Sequence, residues 1–255
     1  MEKEKSSAGV TKTYSKFPEM VVIKGRLNVD NSIRLTKNIS DLKKLIPFSE
    51  NPTYSIRPPL EKKFNKIIKR AIDITISTLV IVFVFSWFIP LVALLIKIDS
   101  KGPVFFLQKR NKKDGDLFTC IKFRSMVVNQ EADSLPATFD DERVTEIGKF
   151  LRGTFLDELP QFFNVWLGDM SLVGPRPHMI SDNYKYSELI EFYDYRHNVK
   201  PGITGLSQVL GYVGETRNLQ AMKNRVQMDI YYIRHWSAWL DLKIALFTLH
   251  KIIGL

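Results

Sequence analysis

Between Arg70 and Lys97 the chain reads AIDITISTLVIVFVFSWFIPLVALLI, and the only formal charge in that run is Asp73. This run constrains the fold more than any other feature, because about 20 apolar residues are enough to cross a hydrocarbon core as a helix. A long polar chain precedes it and no small-residue cleavage site follows, which argues against a secretory signal. Pro90 lies within the run, lacks the N–H that would bond the Ser86 carbonyl, and is expected to kink or break a helix. Residues 71–89 would form a helix about 28 Å long, so length does not separate crossing from entering and returning. Both flanks are basic: Lys62, Lys63, Lys66, Lys69 and Arg70 on one side, Lys97, Lys101, Lys109, Arg110, Lys112 and Lys113 on the other. Positive charge near a membrane segment prefers the cytoplasm. A re-entrant hairpin keeps both flanks there, while a spanning helix with an ambiguous charge bias stays open.

The rest of the chain narrows the chemistry mostly by exclusion. A length of 255 residues can bury a sizeable core, and 37 Lys and Arg against 27 Asp and Glu leave a net charge of +10. That balance suits nucleic acid, an acidic membrane surface or a phosphorylated substrate. The positive charge is concentrated beside the apolar run, where anionic lipid accounts for it better than nucleic acid does. The single cysteine, Cys120, excludes an internal disulfide framework and a multi-cysteine zinc site. The four histidines lack metal-binding spacing. No G-x-S-x-G elbow, Walker loop or H-E-x-x-H pattern occurs.

These patterns divide the chain into an N-terminal extension (1–60), a membrane segment (61–103) and a C-terminal domain (104–255). The extension is expected to be partly disordered, with a short strand at 20–23, a short helix at 39–45 and a proline-rich linker. After the membrane run, 104–110 and 117–123 are β-rich and joined through Asp114-Gly115, which predicts a hairpin. Helices are expected over 188–198 and 218–235. The segment 237–255, opened by Ser237 as N-cap, carries Trp236 and Trp239 at its start and Leu240, Ile244, Phe247 and Ile252 at near-helical spacing. It reads either as a core helix or as an amphipathic helix lying on headgroups, with Lys243 and Lys251 reaching phosphates. The fold class is therefore α+β, mainly helical, with a membrane segment, a hairpin and interfacial helices.

The candidate chemistry centres on Thr154-Phe155-Leu156-Asp157-Glu158-Leu159-Pro160-Gln161. A helix running to Gly168 with Pro160 in its first turn would begin near Asp157, setting two carboxylates at a helix N-terminus. An ionised Asp can act as a nucleophile and a neighbouring Glu can help hold Mg²⁺, although acidic residues at helix starts are also routine capping. Lys122 and Arg124 end the second hairpin strand, Lys149 and Arg152 precede the dyad, and Pro175-Arg176-Pro177 presents a guanidinium between two residues of fixed φ.

Several ordered motifs together carry a resemblance: Lys69-Arg70-Ala71-Ile72-Asp73, Asp99-Ser100-Lys101-Gly102-Pro103, Lys122-Phe123-Arg124-Ser125-Met126, Leu151-Arg152, and Leu156-Asp157-Glu158-Leu159-Pro160-Gln161. Gly168-Asp169-Met170-Ser171-Leu172-Val173-Gly174-Pro175-Arg176-Pro177, Lys200-Pro201-Gly202-Ile203-Thr204-Gly205 and Leu240-Asp241-Leu242-Lys243 complete it. Over residues 61–255 the chain resembles the bacterial sugar transferases, the monotopic phosphoglycosyl transferases. The resemblance implies transfer of a sugar 1-phosphate from a UDP-sugar to a polyprenyl phosphate such as undecaprenyl phosphate, with UMP released at the start of surface-glycan assembly. It implies Asp157 as nucleophile in a phosphosugar-aspartyl intermediate, with Glu158 placing Mg²⁺ and Asp157 sharing the metal. Arg152 and Arg176 would hold phosphate oxygens, and Lys122, Arg124 and Arg196 would make further phosphate or nucleotide contacts. It also implies a re-entrant membrane helix broken at Pro90, with Arg70 and Asp73 paired at the interface. The expected location is the bacterial inner membrane with the catalytic domain on the cytoplasmic face; a homodimer is compatible with it, and no nucleic acid is expected. The rival reading is a membrane-anchored scaffold that recruits other glycan-assembly enzymes without catalysis.

Overall fold

The computed structural model describes residues 58–129, 138, 141–212 and 218–253. The strand and helix expected at 20–23 and 39–45 lie outside these. At the start of the described chain, a short 3-10 turn, Pro59–Glu61, places Leu60 in the main hydrophobic core.

The apolar run forms α1 (Lys63–Leu79), a π turn (Val80–Val84) and α2 (Phe85–Asp99), together a helical segment of 37 residues. It is long and apolar enough to cross a membrane, and its surface bears a wide apolar display that includes Phe64, Ile67, Leu79, Val82, Phe83, Trp87, Leu91 and Leu94. Pro90 does not break the helix: it sits inside α2, and the irregularity lies upstream in the π turn. A π turn shifts the carbonyl register by one residue, a change of path that needs no proline at the point where it occurs.

The hairpin forms as expected, β1 (Phe105–Asn111) antiparallel to β2 (Leu117–Phe123), with Asp114 at φ 62° and Gly115 at φ 82° in its turn. It is followed by α3 (Glu146–Gly153), capped by the Thr145 side chain, and α4 (Gln161–Leu167). Asn164 of α4 ties itself to the hairpin edge: its Oδ1 accepts from the Ile121 amide at 2.9 Å and its Nδ2 donates to the Thr119 carbonyl at 2.7 Å. A short parallel pair, β3 (Ser171–Val173) with β4 (Gly202–Thr204), had no counterpart in the sequence reading.

The helix expected over 188–198 is displaced. Instead α5 spans Ile180–Leu189, Phe192 adopts a left-handed conformation, and Tyr193–Asn198 forms a separate 3-10 segment. Beyond α6 (Leu206–Val209), α7 (Leu219–Arg234) has Asn218 as N-cap, matching the expected 218–235. The last helix, α8 (Ala238–Ile253), starts at Ser237, whose hydroxyl accepts from the Leu240 amide at 3.1 Å. Trp236 lies in the core rather than at a lipid boundary, because its indole N–H donates to Asp241 at 3.0 Å. Trp239, Leu242, Leu246 and Leu249 form an exposed stripe on one side of α8.

One polar knot fixes the beginning of the apolar helix to the globular body. Lys69 Nζ donates to Asp241 at 2.7 Å, to the Val173 carbonyl at 2.9 Å and to Tyr232 Oη at 3.1 Å. Arg70 and Asp73 do not pair with each other. Arg70 donates to the Val165 and Trp166 carbonyls near the C-terminus of α4, where the helix dipole favours a cation. Asp73, buried, accepts from the Ser171 hydroxyl at 3.0 Å and the Leu172 amide at 2.9 Å. At the far end, Arg124 donates to the Lys101 and Ser100 carbonyls at 2.5 and 2.7 Å, and Val92 and Ile96 pack with Phe123 and Leu151.

Candidate active site

Asp157 and Glu158 stand on a 3-10 turn, Leu156–Glu158, and not in the first turn of the following helix. The chain reaches that turn through Phe155, a non-glycine residue at φ 59°. Such a conformation is uncommon for a bulky side chain and persists where surrounding contacts hold it. Pro160, with no N–H to satisfy, serves as N-cap of α4. The carboxylates are thus presented by a tight turn between two helices.

The two acids are treated differently by their neighbours. Arg176 grips Glu158 with both terminal nitrogens, Nη1 to Oε2 at 2.9 Å and Nη2 to Oε1 at 2.5 Å, and Lys122 Nζ reaches Oε1 at 2.8 Å. Burial alone would raise the Glu158 pKa; Arg176 and Lys122 overcome it and hold the carboxyl well below the usual range. Asp157, equally buried, has no hydrogen-bond partner among the described residues. Burial pushes its pKa up to about 6, against the opposing charges of Lys122, Arg152 and Arg176 and with the help of Glu158 beside it. One carboxylate is clamped, and its neighbour is desolvated and unengaged.

Arg176 is fixed by its loop as well as by its prolines. Gly174 donates to the Thr204 carbonyl at 2.9 Å and Gly202 donates to the Pro175 carbonyl at 2.9 Å. A side-chain carbon on Gly202 would lie 2.1 Å from the Gly174 nitrogen, so only glycine allows the two strands to approach this closely. Lys122 comes from β2 and Arg152 from the last turn of α3. The structure therefore gathers Lys122, Arg152, Asp157, Glu158 and Arg176 from four separate places in the chain.

It does not bring Arg124 or Arg196 to the dyad. Arg124 is buried at the end of α2 with its guanidinium on backbone carbonyls. Arg196 is buried behind Arg176 and paired with Asp229 at 2.8 Å. Conversely, Arg110, which the sequence offered only as part of the basic flank of the apolar run, lies within electrostatic reach of Glu158 and Arg176. The hairpin register offered the signal: Phe106 opposes Lys122 and Arg110 opposes Phe118, so residues 106, 108 and 110 share a face with Lys122. His178 and Asp229 carried no local signal at all.

No group of three or more His, Cys, Asp or Glu side chains able to hold a metal exists among the described residues. The dyad itself supplies two adjacent carboxylates, a donor set that suits Mg²⁺ completed by substrate phosphates and water.

An apolar helix long enough to cross a membrane is thus tied to a globular body that holds a carboxylate pair ringed by cations. The chain belongs to the bacterial sugar transferase family, whose model matches residues 64–254. A UDP-glucose:undecaprenyl-phosphate glucose-1-phosphate transferase of Klebsiella pneumoniae is 48% identical over 208 residues, covering 81% of this chain and 43% of that protein. The protein of the same name from Escherichia coli K12 is 49% identical over 188 residues, 73% of this chain and 40% of that protein. The chain thus spans less than half of these two relatives. A third of that name, from Caulobacter vibrioides, is 41% identical over 202 residues and is covered over 75% of its length.

Proposed function

We propose that this protein transfers a sugar 1-phosphate from a UDP-sugar to a polyprenyl phosphate at the cytoplasmic face of the bacterial inner membrane. The observation that carries this reading is the contrast within the dyad: Glu158 is clamped by Arg176 and Lys122, while Asp157 is buried with no hydrogen-bond partner among the described residues. A desolvated, unengaged carboxylate among cations is suited to attack phosphorus.

In the first step an Asp157 oxygen bonds to the sugar-proximal phosphorus, and the bond from that phosphorus to the bridging oxygen of the nucleotide breaks, releasing UMP. In the second, an oxygen of the polyprenyl phosphate attacks the same phosphorus and the aspartyl–phosphorus bond breaks, returning the carboxylate. Arg176 and Arg152 supply positive charge where negative charge accumulates on the phosphoryl oxygens. Glu158 and Asp157 are the residues that would hold Mg²⁺, which lowers the repulsion between the anionic nucleophile and the diphosphate. UDP-glucose is the first donor to try, because the three relatives named above act on it by name.

The membrane placement we favour is re-entrant. Its support is that both ends of the apolar helix are bonded to one body: Lys69 and Asp73 to β3 and α8, the Ser100 and Lys101 carbonyls to Arg124. A helix passing fully across would separate those ends by the bilayer.

The test is UMP release from UDP-glucose with undecaprenyl phosphate, paired with intact mass of the protein after exposure to donor alone. The expected results are turnover that disappears in Asp157→Asn and a hexose phosphate adduct lost with it. Full turnover by Asp157→Asn would favour the scaffold reading and exclude Asp157 as nucleophile.

A further inference from the structure

Behind the Pro175-Arg176-Pro177 loop lies a buried polar network that never touches the dyad. Arg196 Nη2 donates both to the Arg176 carbonyl at 2.7 Å and to Asp229 Oδ2 at 2.8 Å, and its Nη1 contacts His178 Nδ1. The other carboxylate oxygen of Asp229 accepts from the Ser207 hydroxyl at 3.0 Å. Tyr193 Oη lies 2.6 Å from His178 Nδ1 and donates to Asn183 at 2.8 Å. Arg196 and Asp229 have side chains only 2% and 1% exposed, so neither is available to a ligand.

A buried ion pair is a poor way to gain stability, since desolvation offsets most of the attraction. What this pair does do is direct a guanidinium onto one backbone carbonyl, that of the residue whose own guanidinium clamps Glu158. From these contacts we infer that Arg196 and Asp229 are positioning residues for catalysis: Asp229 orients Arg196, and Arg196 holds the Arg176 backbone so that its fork meets Glu158 and the transferring phosphate. His178, in contact with Arg196 through Nδ1, stays neutral beside it; burial, followed by the surrounding guanidinium groups of Arg196, Arg225, Arg110 and Arg176, keeps it well below its ordinary pKa. The inference rests on the phosphate-binding role proposed above for Arg176.

A double-mutant cycle on the full-length protein in native membranes tests it. Arg196→Lys keeps the charge but shortens the fork, so it cannot reach the Arg176 carbonyl and Asp229 together. The expected loss of kcat is about tenfold or more with KM for the UDP-sugar little changed, since small misplacements of a catalytic group act mainly on the transition state. In an Arg176→Ala background the same substitution should cost less than about twofold, because the residue it acts through is gone. An equal loss in both backgrounds, or no loss in the wild-type background, overturns the proposal. If Arg196→Lys does not accumulate, Tyr193→Phe removes a single hydroxyl from the network and runs the same cycle. Failure of the transferase reading would register separately, as turnover retained by Asp157→Asn.

Discussion

At the residue scale the site turns on how differently two adjacent carboxylates are treated. Asp157 titrates near 6 instead of its ordinary 3.8, chiefly through burial. The ionised form is the nucleophile, so kcat/KM at low Mg²⁺ should fall on the acid side with an apparent pKa near 6. Raising Mg²⁺ should move that limb to lower pH, because a bound cation favours the carboxylate; a limb indifferent to Mg²⁺ would separate the metal from Asp157. The same shift has a stability consequence. Between about pH 4 and 6 the folded state holds a proton that the unfolded state has released, so stability declines as pH rises through that window. Asp157→Asn removes this cost, and at pH 7 it should melt a few degrees higher than the wild type while losing turnover. Thermal unfolding in detergent at pH 4 and pH 7 measures it, and the gain should vanish at the lower pH.

Elements explain where the other basic residues went. Arg124 lies two residues beyond Lys122 and read as a phosphate ligand, yet it falls one residue past the end of β2 and its side chain turns to the loop that follows α2. Its guanidinium closes the C-terminus of α2, accepted by the Ser100 and Lys101 carbonyls. Arg124→Gln should therefore destabilise the protein by about 2 kcal/mol, the scale of charged hydrogen bonds lost to buried carbonyls. Activity per folded molecule should survive, a combination that denaturant unfolding and UMP release together would reveal. The β3–β4 pair makes a different demand. Gly202→Ala places a methyl against the Gly174 backbone, pushing the Arg176 loop away, and turnover should fall about tenfold or more. An unchanged rate would mean that the loop tolerates the displacement.

For the whole molecule, the decisive arrangement is an apolar helix with both ends on the same body. Cysteines introduced as Phe64→Cys and Lys101→Cys should react with an impermeant maleimide in inverted membrane vesicles and stay protected in intact cells; labelling from opposite sides would refute re-entry. Cys120 is buried and provides little background. The exposed stripe of α8, Trp239, Leu242, Leu246 and Leu249, adds a second apolar surface to the molecule.

Sequence by itself determined the elements whose signals are local. The apolar run, the Asp114-Gly115 hairpin, the Asn218 and Ser237 helix starts and the adjacent acids Asp157 and Glu158 all depend on neighbours within a few residues. Tertiary structure alone decided which cations meet those acids. Arg176 and Lys122 arrive from distant segments, Arg124 and Arg196 are drawn away by backbone carbonyls and Asp229, and Arg70 leaves Asp73 for the end of α4. A charged side chain takes its place from the partners that relieve its desolvation, and in this fold those partners are brought close only when the chain has closed on itself.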